Sequence, residues 1–206
     1  MKTIAIISGG DFCAMPNINR AELIVACDKG VQYAARAGIT PDVVLGDFDS
    51  YRGKLPKSAR VVRLPSEKDD TDTVAAIRFA LAEGATDLAL YCVEGGRSDH
   101  FIGNIQAAAF AASRGARVVM YGLDALYTVV PPGKYVFPRK NGFFSLFSLT
   151  GKCRGVFLSG AKYPLSGAET DSCFPLGVSN EWTEDEITLE FSEGVALIIE
   201  TCGARE

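Results

Sequence analysis

The sequence predicts an N-terminal α/β domain with a mostly parallel, doubly wound sheet over residues 1–125, followed by a C-terminal all-β sandwich over 126–206. Two observations carry that prediction. Through the first half, short β-type runs alternate with helical patterns, as strands covered by helices do. After about Leu126 the pattern changes to short strands separated by tight turns such as Pro131-Pro132-Gly133 and Asn141-Gly142.

Composition sets the outer limits. The chain has 206 residues, 48% hydrophobic and 22% charged, which is ordinary globular composition and leaves room for one large domain or two small ones. A net charge of −4 gives no general electrostatic grip on nucleic acid, so an anionic substrate needs a local site, with metal a natural part of it. The apolar run Ile4 to Ile7 is too short for a signal peptide and stops at Gly9-Gly10-Asp11, and no later run reaches membrane-spanning length. The six cysteines show no paired metal-ligand spacing and read as reduced thiols of a cytoplasmic protein.

In chain order, the strand candidates are Thr3 to Ser8, Glu22 to Cys27, Asp42 to Leu45, Arg60 to Leu64, Asp87 to Val93 and Arg117 to Tyr121. Thr71 to Glu83 carries Val74, Ile77 and Leu81 on one helical face, with Asp70 placed to cap it and Gly84 to end it. Asp99 to Ser113 is a second helix, whose small residues at 107–109, 111 and 112 permit close approach to a sheet. In the second half, Leu126 to Val130, Tyr135 to Pro138 and Phe143 to Leu149 read as strands. Ile187 to Phe191 and Val195 to Glu200 read as a closing hairpin around Ser192-Glu193-Gly194, and 166–176 as an exposed loop.

Acidic residues follow one strand candidate after another: Asp28, then Asp47 and Asp49, then Asp69, Asp70 and Asp72, then Asp99. Loops leaving the carboxyl ends of parallel strands gather at one edge, so these side chains are expected to converge. Gly46-Asp47-Phe48-Asp49-Ser50 is a plausible cation-holding loop, although an isolated Asp-x-Asp is as readily a turn or a cap. Pro65 to Asp72 adds Lys68, and its acidic excess over one helix start makes Asp69 and Asp72 candidates for metal or ribose. Gly95-Gly96-Arg97-Ser98-Asp99-His100 joins a strand to a helix, where paired glycines let backbone pass close to phosphate and Arg97 adds a fixed fork of charge. A plain Gly-Gly turn fits as well. His100 is the sole histidine, which excludes a histidine-clustered metal site and leaves binding, helix-start and structural roles open.

In the β region, Ala161 to Leu165 and Gly177 to Trp182 are richer than plain turns need. A lone tryptophan is more often core than platform. Trp182 nonetheless sits among polar residues, where a face can receive a flat, cationic heterocycle, with Ser179 and Asn180 as directional hydrogen bonders.

Taken together, Asp28-Lys29-Gly30, Gly46 to Ser50, Glu67 to Asp72, Gly95 to His100 with Asn104, Lys162 to Leu165 and Gly177 to Glu181 resemble the thiamine pyrophosphokinase family over nearly the whole chain. The resemblance implies ATP and thiamine as substrates, thiamine diphosphate and AMP as products, and a homodimer with sites between subunits. It assigns Asp47, Asp49 and Asp72 to Mg2+, with Asp69 nearby, and Arg97 and Lys68 to phosphate oxygens. Asp28, Asp99, His100 and Asn104 then shape the nucleotide side, and Ser179, Asn180 and Trp182 the thiamine side. Some members carry Asp-Gly-Gly where this chain has a basic residue at Lys29. Two other readings use part of the same residues. A metal-dependent nucleotide-sugar glycosyltransferase accounts for Asp47 and Asp49 but not the Ser179 region, and a thiamine or nucleotide binding module would not consume ATP. Gly9-Gly10-Asp11 lacks the spaced glycines of a hydride-transferring dinucleotide enzyme.

Overall fold

The computed structural model describes residues 1–48, 53, 55–65 and 70–201. They form two compact units, Met1–Ala111 with Val118–Leu123, and Ala112–Arg117 with Asp124–Glu206.

The first unit is built from β1 (Thr3–Ile7), β2 (Leu23–Cys27), α1 (Gly30–Arg36), β3 (Val43–Gly46), β4 (Arg60–Arg63), α2 (Asp72–Ala82), β5 (Asp87–Tyr91), α3 (Ser98–Ala112) and β6 (Arg117–Tyr121). Strand order is β6-β5-β1-β2-β3-β4, and β5 through β4 pair in parallel. β1 lies between β2 and β5, and Ile4, Ala5, Ile6 and Ile7 are each 0% exposed. A strand covered on both faces has no polar side to show, so its sequence is a continuous apolar run. In α2 the buried positions Thr73, Ala76, Ile77 and Ala80 follow helical spacing. Its cap is Thr71, whose Oγ1 accepts from the Val74 N–H at 3.3 Å, and not Asp70. Asp70 instead pairs with Arg78 at 3.1 Å.

The second unit is antiparallel throughout. It contains β7 (Ala125–Val130), β8 (Gly133–Pro138), β9 (Phe144–Ser148), β10 (Lys152–Ser159), β11 (Leu165–Asp171), β12 (Gly177–Asn180), β13 (Glu186–Phe191) and β14 (Ala196–Thr201). One layer runs β12-β9-β14-β7 and the other β11-β10-β13-β8. Phe144, Leu146 and Ile198 from the first meet Val156, Leu158, Ile187 and Leu189 from the second in a shared core.

Two expectations fail here. β13 and β14 do not pair as a hairpin: β13 pairs with β8 and β10, β14 with β7 and β9, so Ser192-Glu193-Gly194 hands the chain from one layer to the other. Gly194 permits the crossing, because a Cβ there would lie 2.4 Å from the Lys152 carbonyl oxygen. The expected loop at 166–176 is largely β11, whose register against β10 is broken by bulges. Few of its residues are apolar, so backbone pairing and the buried Thr170 place it, and alternation does not reveal it. Among the described residues, no helix is long and apolar enough to cross a membrane.

Candidate active site

The strand order of the first unit reverses at β1, with β2 on one side and β5 on the other. A crevice outside the carboxyl ends of the strands is expected at such a reversal. A cleft of about 490 Å³ opens there. It is lined by Ser8 to Asp11 after β1, Cys27 to Lys29 at the end of β2, Thr71 to Thr73 at the start of α2, Val93 and Gly95 to Arg97 after β5, and His100 and Asn104 of α3. Asp28, Phe48 and Cys92, each just past one of these strands, hold left-handed backbone at φ 40°, 61° and 56°. Such conformations cost about 1–3 kcal/mol each in non-glycine residues and cluster where a fold positions a site. Gly10 donates its N–H to the Cys92 carbonyl at 2.8 Å, and a Cβ on Gly10 would fall 2.2 Å from the Glu94 carbonyl oxygen. The loops after β1 and β5 interlock through that missing side chain.

Asp28 and Asp72 meet in this cleft. The Asp28 carboxyl is pushed up to about 7, first by burial, then by contact with the Asp72 carboxyl and its charge, and more weakly by Asp47. The Phe48 N–H, 3.4 Å from Asp28 Oδ1, works the other way. Two carboxyls in contact either share a proton or take a cation between them. A buried contact of 3.1 Å between Ser8 Oγ and Thr73 Oγ1 ties the first turn of α2 to the end of β1, and so fixes the backbone that carries Asp72. Among the described residues no three His, Cys, Asp or Glu side chains are grouped to hold a metal ion. Asp49, Lys68 and Asp69 lie outside the described residues. Asp47 is half-buried and reaches the pair through its charge, without lining the cleft itself.

Arg97 and His100 line the cleft, whereas Asp99 does not. Asp99 holds Arg97 instead, accepting from Nη2 at 2.6 Å and Nε at 3.1 Å, and it also takes the His100 N–H at 3.0 Å. The guanidinium draws the Asp99 carboxyl below the usual carboxylate range. Asn104, buried, donates from Nδ2 to the Val93 carbonyl at 2.8 Å and locks α3 to the loop after β5.

The second unit treats its candidates differently. Asn180 is 3% exposed. Its Oδ1 accepts from the Tyr163 and Glu181 N–H groups at 3.0 and 2.9 Å, and its Nδ2 donates to the Tyr163 carbonyl at 2.9 Å. It clamps the 161–164 turn. Trp182 is 5% exposed and packs on Phe144 with centroids 4.7 Å apart, so the open stacking face expected among polar neighbours is absent. The neighbours in sequence are polar, but Trp182 bridges to Ala161 and points into the core between the layers. Ser179 is exposed, at φ 56°, with its N–H on Ser145 Oγ at 3.1 Å.

Comparison with known proteins decides the family. Residues 15–120 match the thiamin pyrophosphokinase catalytic domain, and 134–196 the thiamin pyrophosphokinase vitamin B1 binding domain. The chain belongs to the thiamin pyrophosphokinase family. A thiamine pyrophosphokinase of Bacillus subtilis is 29% identical over 97% of this chain and 98% of its own length. The crystal structure of the Bacillus subtilis enzyme matches with a TM-score of 0.85 at 27% identity, covering 98% of this chain and 100% of that one. That of Geobacillus thermodenitrificans matches at 0.80 and 28%, covering 98% and 99%. For a thiamin pyrophosphokinase, the sequence reading passed over Ser8 to Asp11 and the hydroxyl residues Thr71 and Thr73, all of which line the cleft. The paired glycines Gly9-Gly10, one residue past β1, were the available signal.

Proposed function

We propose that the protein transfers the pyrophosphoryl group of ATP to the hydroxyl of thiamine, giving thiamine diphosphate and AMP. The observation that carries this reading is the match of the two family domains, in chain order, to an α/β unit with a cleft at its strand-order reversal and to a β-sandwich unit. The thiamine hydroxyl oxygen forms a bond to the β-phosphorus, the bond from that phosphorus to the bridging oxygen of the α-phosphate breaks, and AMP departs with the electron pair. Placement and charge neutralisation are what a protein contributes to such a transfer.

In this reading residues 1–125 hold the nucleotide and 126–206 the thiamine. Arg97, with Lys68, meets phosphate oxygens, held in orientation by Asp99. Asp28, Asp69, His100 and Asn104 shape the rest of the nucleotide side. Asp47, Asp49 and Asp72 hold Mg2+, and the donor chemistry fits, because the Asp72 carboxyl already presses on a neighbouring acid and a cation relieves that repulsion. Bound there, Mg2+ would supply positive charge to neutralise the phosphate oxygens. Ser179 and the second amide hydrogen of Asn180 meet the thiamine aminopyrimidine, while Trp182 supports them by packing beneath. The working form is a cytoplasmic homodimer with active sites between subunits, which light scattering tests by mass. No observation favours the glycosyltransferase or the binding module.

Phosphorus NMR of the protein with ATP, thiamine and Mg2+ tests the reaction. AMP and thiamine diphosphate should accumulate in equal amounts, and only with metal present. ADP together with thiamine monophosphate would overturn the assignment of the attacked phosphorus.

A further inference from the structure

The cleft contains a cation that the account above leaves unused. Lys29 follows Asp28 at the entry to α1, and its exposed side chain lines the cleft. Tyr33 lies one helical turn on, where residues four apart share a face. The Lys29 Nζ stands 5.2 Å from the centre of the Tyr33 ring. That ring is fixed from two further directions. Its hydroxyl donates to the Gly10 carbonyl at 2.6 Å, and Phe12 meets it edge-on with centroids 5.5 Å apart. Tyr33 is 8% exposed, so the platform is part of the core while the ammonium above it faces the cleft.

Charge gives this arrangement a use. Asp11, Asp28 and Asp72 all line the cleft, and a polyphosphate entering beside them meets repulsion. Arg97 spends two of its donors on Asp99. Lys29, by contrast, makes no salt bridge among the described residues; its first neighbour is the Tyr33 side chain, hydroxyl and ring together, with Asp11 more distant. A lysine stem is flexible, and a ring held from below removes part of the ordering cost of bringing its charge to a ligand.

We propose that Lys29 is a further cationic contact for the ATP polyphosphate in this cleft, beside Arg97 and Lys68, and that Tyr33 is the positioning residue that holds it over the ligand through its ring and its Gly10 anchor. The inference rests on the nucleotide-side reading of the cleft given above. It extends that reading to a residue pair that joins the loop after β1 to α1, so that the strand-end loop and the phosphate-binding charge move as one piece.

The test compares wild type with Lys29→Met, Lys29→Arg and Tyr33→Phe in two assays: the KM for ATP against kcat at saturating thiamine, and equilibrium dialysis of ATP with Mg2+. Loss of one charge-assisted contact predicts a rise of about tenfold or more in KM and in dialysis Kd for Lys29→Met, with kcat within a few-fold. Lys29→Arg should recover most of the affinity. Tyr33→Phe, which keeps the ring and loses the hydroxyl that meets both Gly10 and Lys29, should raise KM for ATP by a few-fold with kcat unchanged. Lys29 is exposed, so a folding defect is not expected of its variants, and a melting curve checks it. Lys29→Met with KM and Kd within twofold of wild type overturns the contact. Tyr33→Phe that lowers the melting temperature but leaves KM alone overturns the positioning role. Wild type that binds ATP without turnover would remove the reaction while dialysis still decides the contact, and wild type that neither binds nor consumes ATP would overturn both.

Discussion

Asp28, half-buried, and Asn180, buried, both sit at the carboxyl end of a strand, yet they meet opposite conditions. Asp28 lies against another acid, with one long N–H contact of 3.4 Å from Phe48 to offset it. Asn180 has three backbone hydrogen bonds of 2.9 to 3.0 Å. The edge of the parallel sheet keeps polar groups under tension around an open cleft, while the 161–182 corner of the sandwich spends them on its own backbone. Unsatisfied groups are where a ligand gains most, and satisfied ones set shape.

Substitutions sharpen or break that contrast. The largest effect should come from Asp72→Ala, with kcat falling about 100-fold or more and the melting temperature nearly unchanged, because a ligand of the proposed Mg2+ site is lost and no packing is. Near-normal turnover would remove Asp72 from the reaction. Trp182→Ala should cost about 3–5 kcal/mol in a urea titration as a core truncation. Trp182→Phe, which keeps most of the packing, should leave the KM for thiamine within a few-fold, and a large loss there would restore the stacking role. Asn180→Ala should cost about 2–3 kcal/mol, since the 161–164 turn loses its clamp and buried N–H groups lose their acceptor.

The pH dependence of stability is a smaller effect with a definite sign. Asp28 holds its proton more tightly folded, at about 7, than unfolded, near the usual value of about 3.9. Its contribution is therefore fully present below pH 4 and is lost as pH rises through 7. Melting temperatures of metal-free protein should decline across that window, and Asp28→Asn should flatten the decline. The smallest effect belongs to Asp99→Asn at the exposed Arg97 pair, with no measurable change in melting temperature and a modest rise in the KM for ATP.

The sequence made the first unit readable because its periodicities are strong. The apolar run Ile4 to Ile7 of β1 reflects a strand buried on both faces, and the alternation of strands and helices reflects the parallel sheet. Helix α1 went unread: it is 7 residues long, and its face is mixed with Lys29, Gln32 and Arg36. Asp70 looked like a cap, but Thr71 stands one residue nearer the helix and its hydroxyl reaches the N–H. In the second unit, β11 lacks an apolar alternation and the β13–β14 crossing looks like a hairpin, because local pattern does not say which layer a strand joins. Of the acids that the strand-end argument expects to converge, Asp28 and Asp72 line the cleft, together with Arg97, His100 and Asn104, whereas Asp47, Asp70 and Asp99 do not line it. Asp99 and Asn180 were legible as polar residues at the right places. That their bonds are already spent on Arg97 and on the 161–164 turn depends on contacts between side chain and backbone that spacing alone does not encode.

The central claim is that the nucleotide occupies the crevice at the β1–β5 reversal. The most direct measurement is an amide NMR titration of the isotopically labelled protein with AMP and Mg2+. The account predicts shifts concentrated at residues 8–11, 28–29, 71–73 and 93–104, the segments that wall the cleft. Shifts confined to 161–182, with those four segments unmoved, would contradict it.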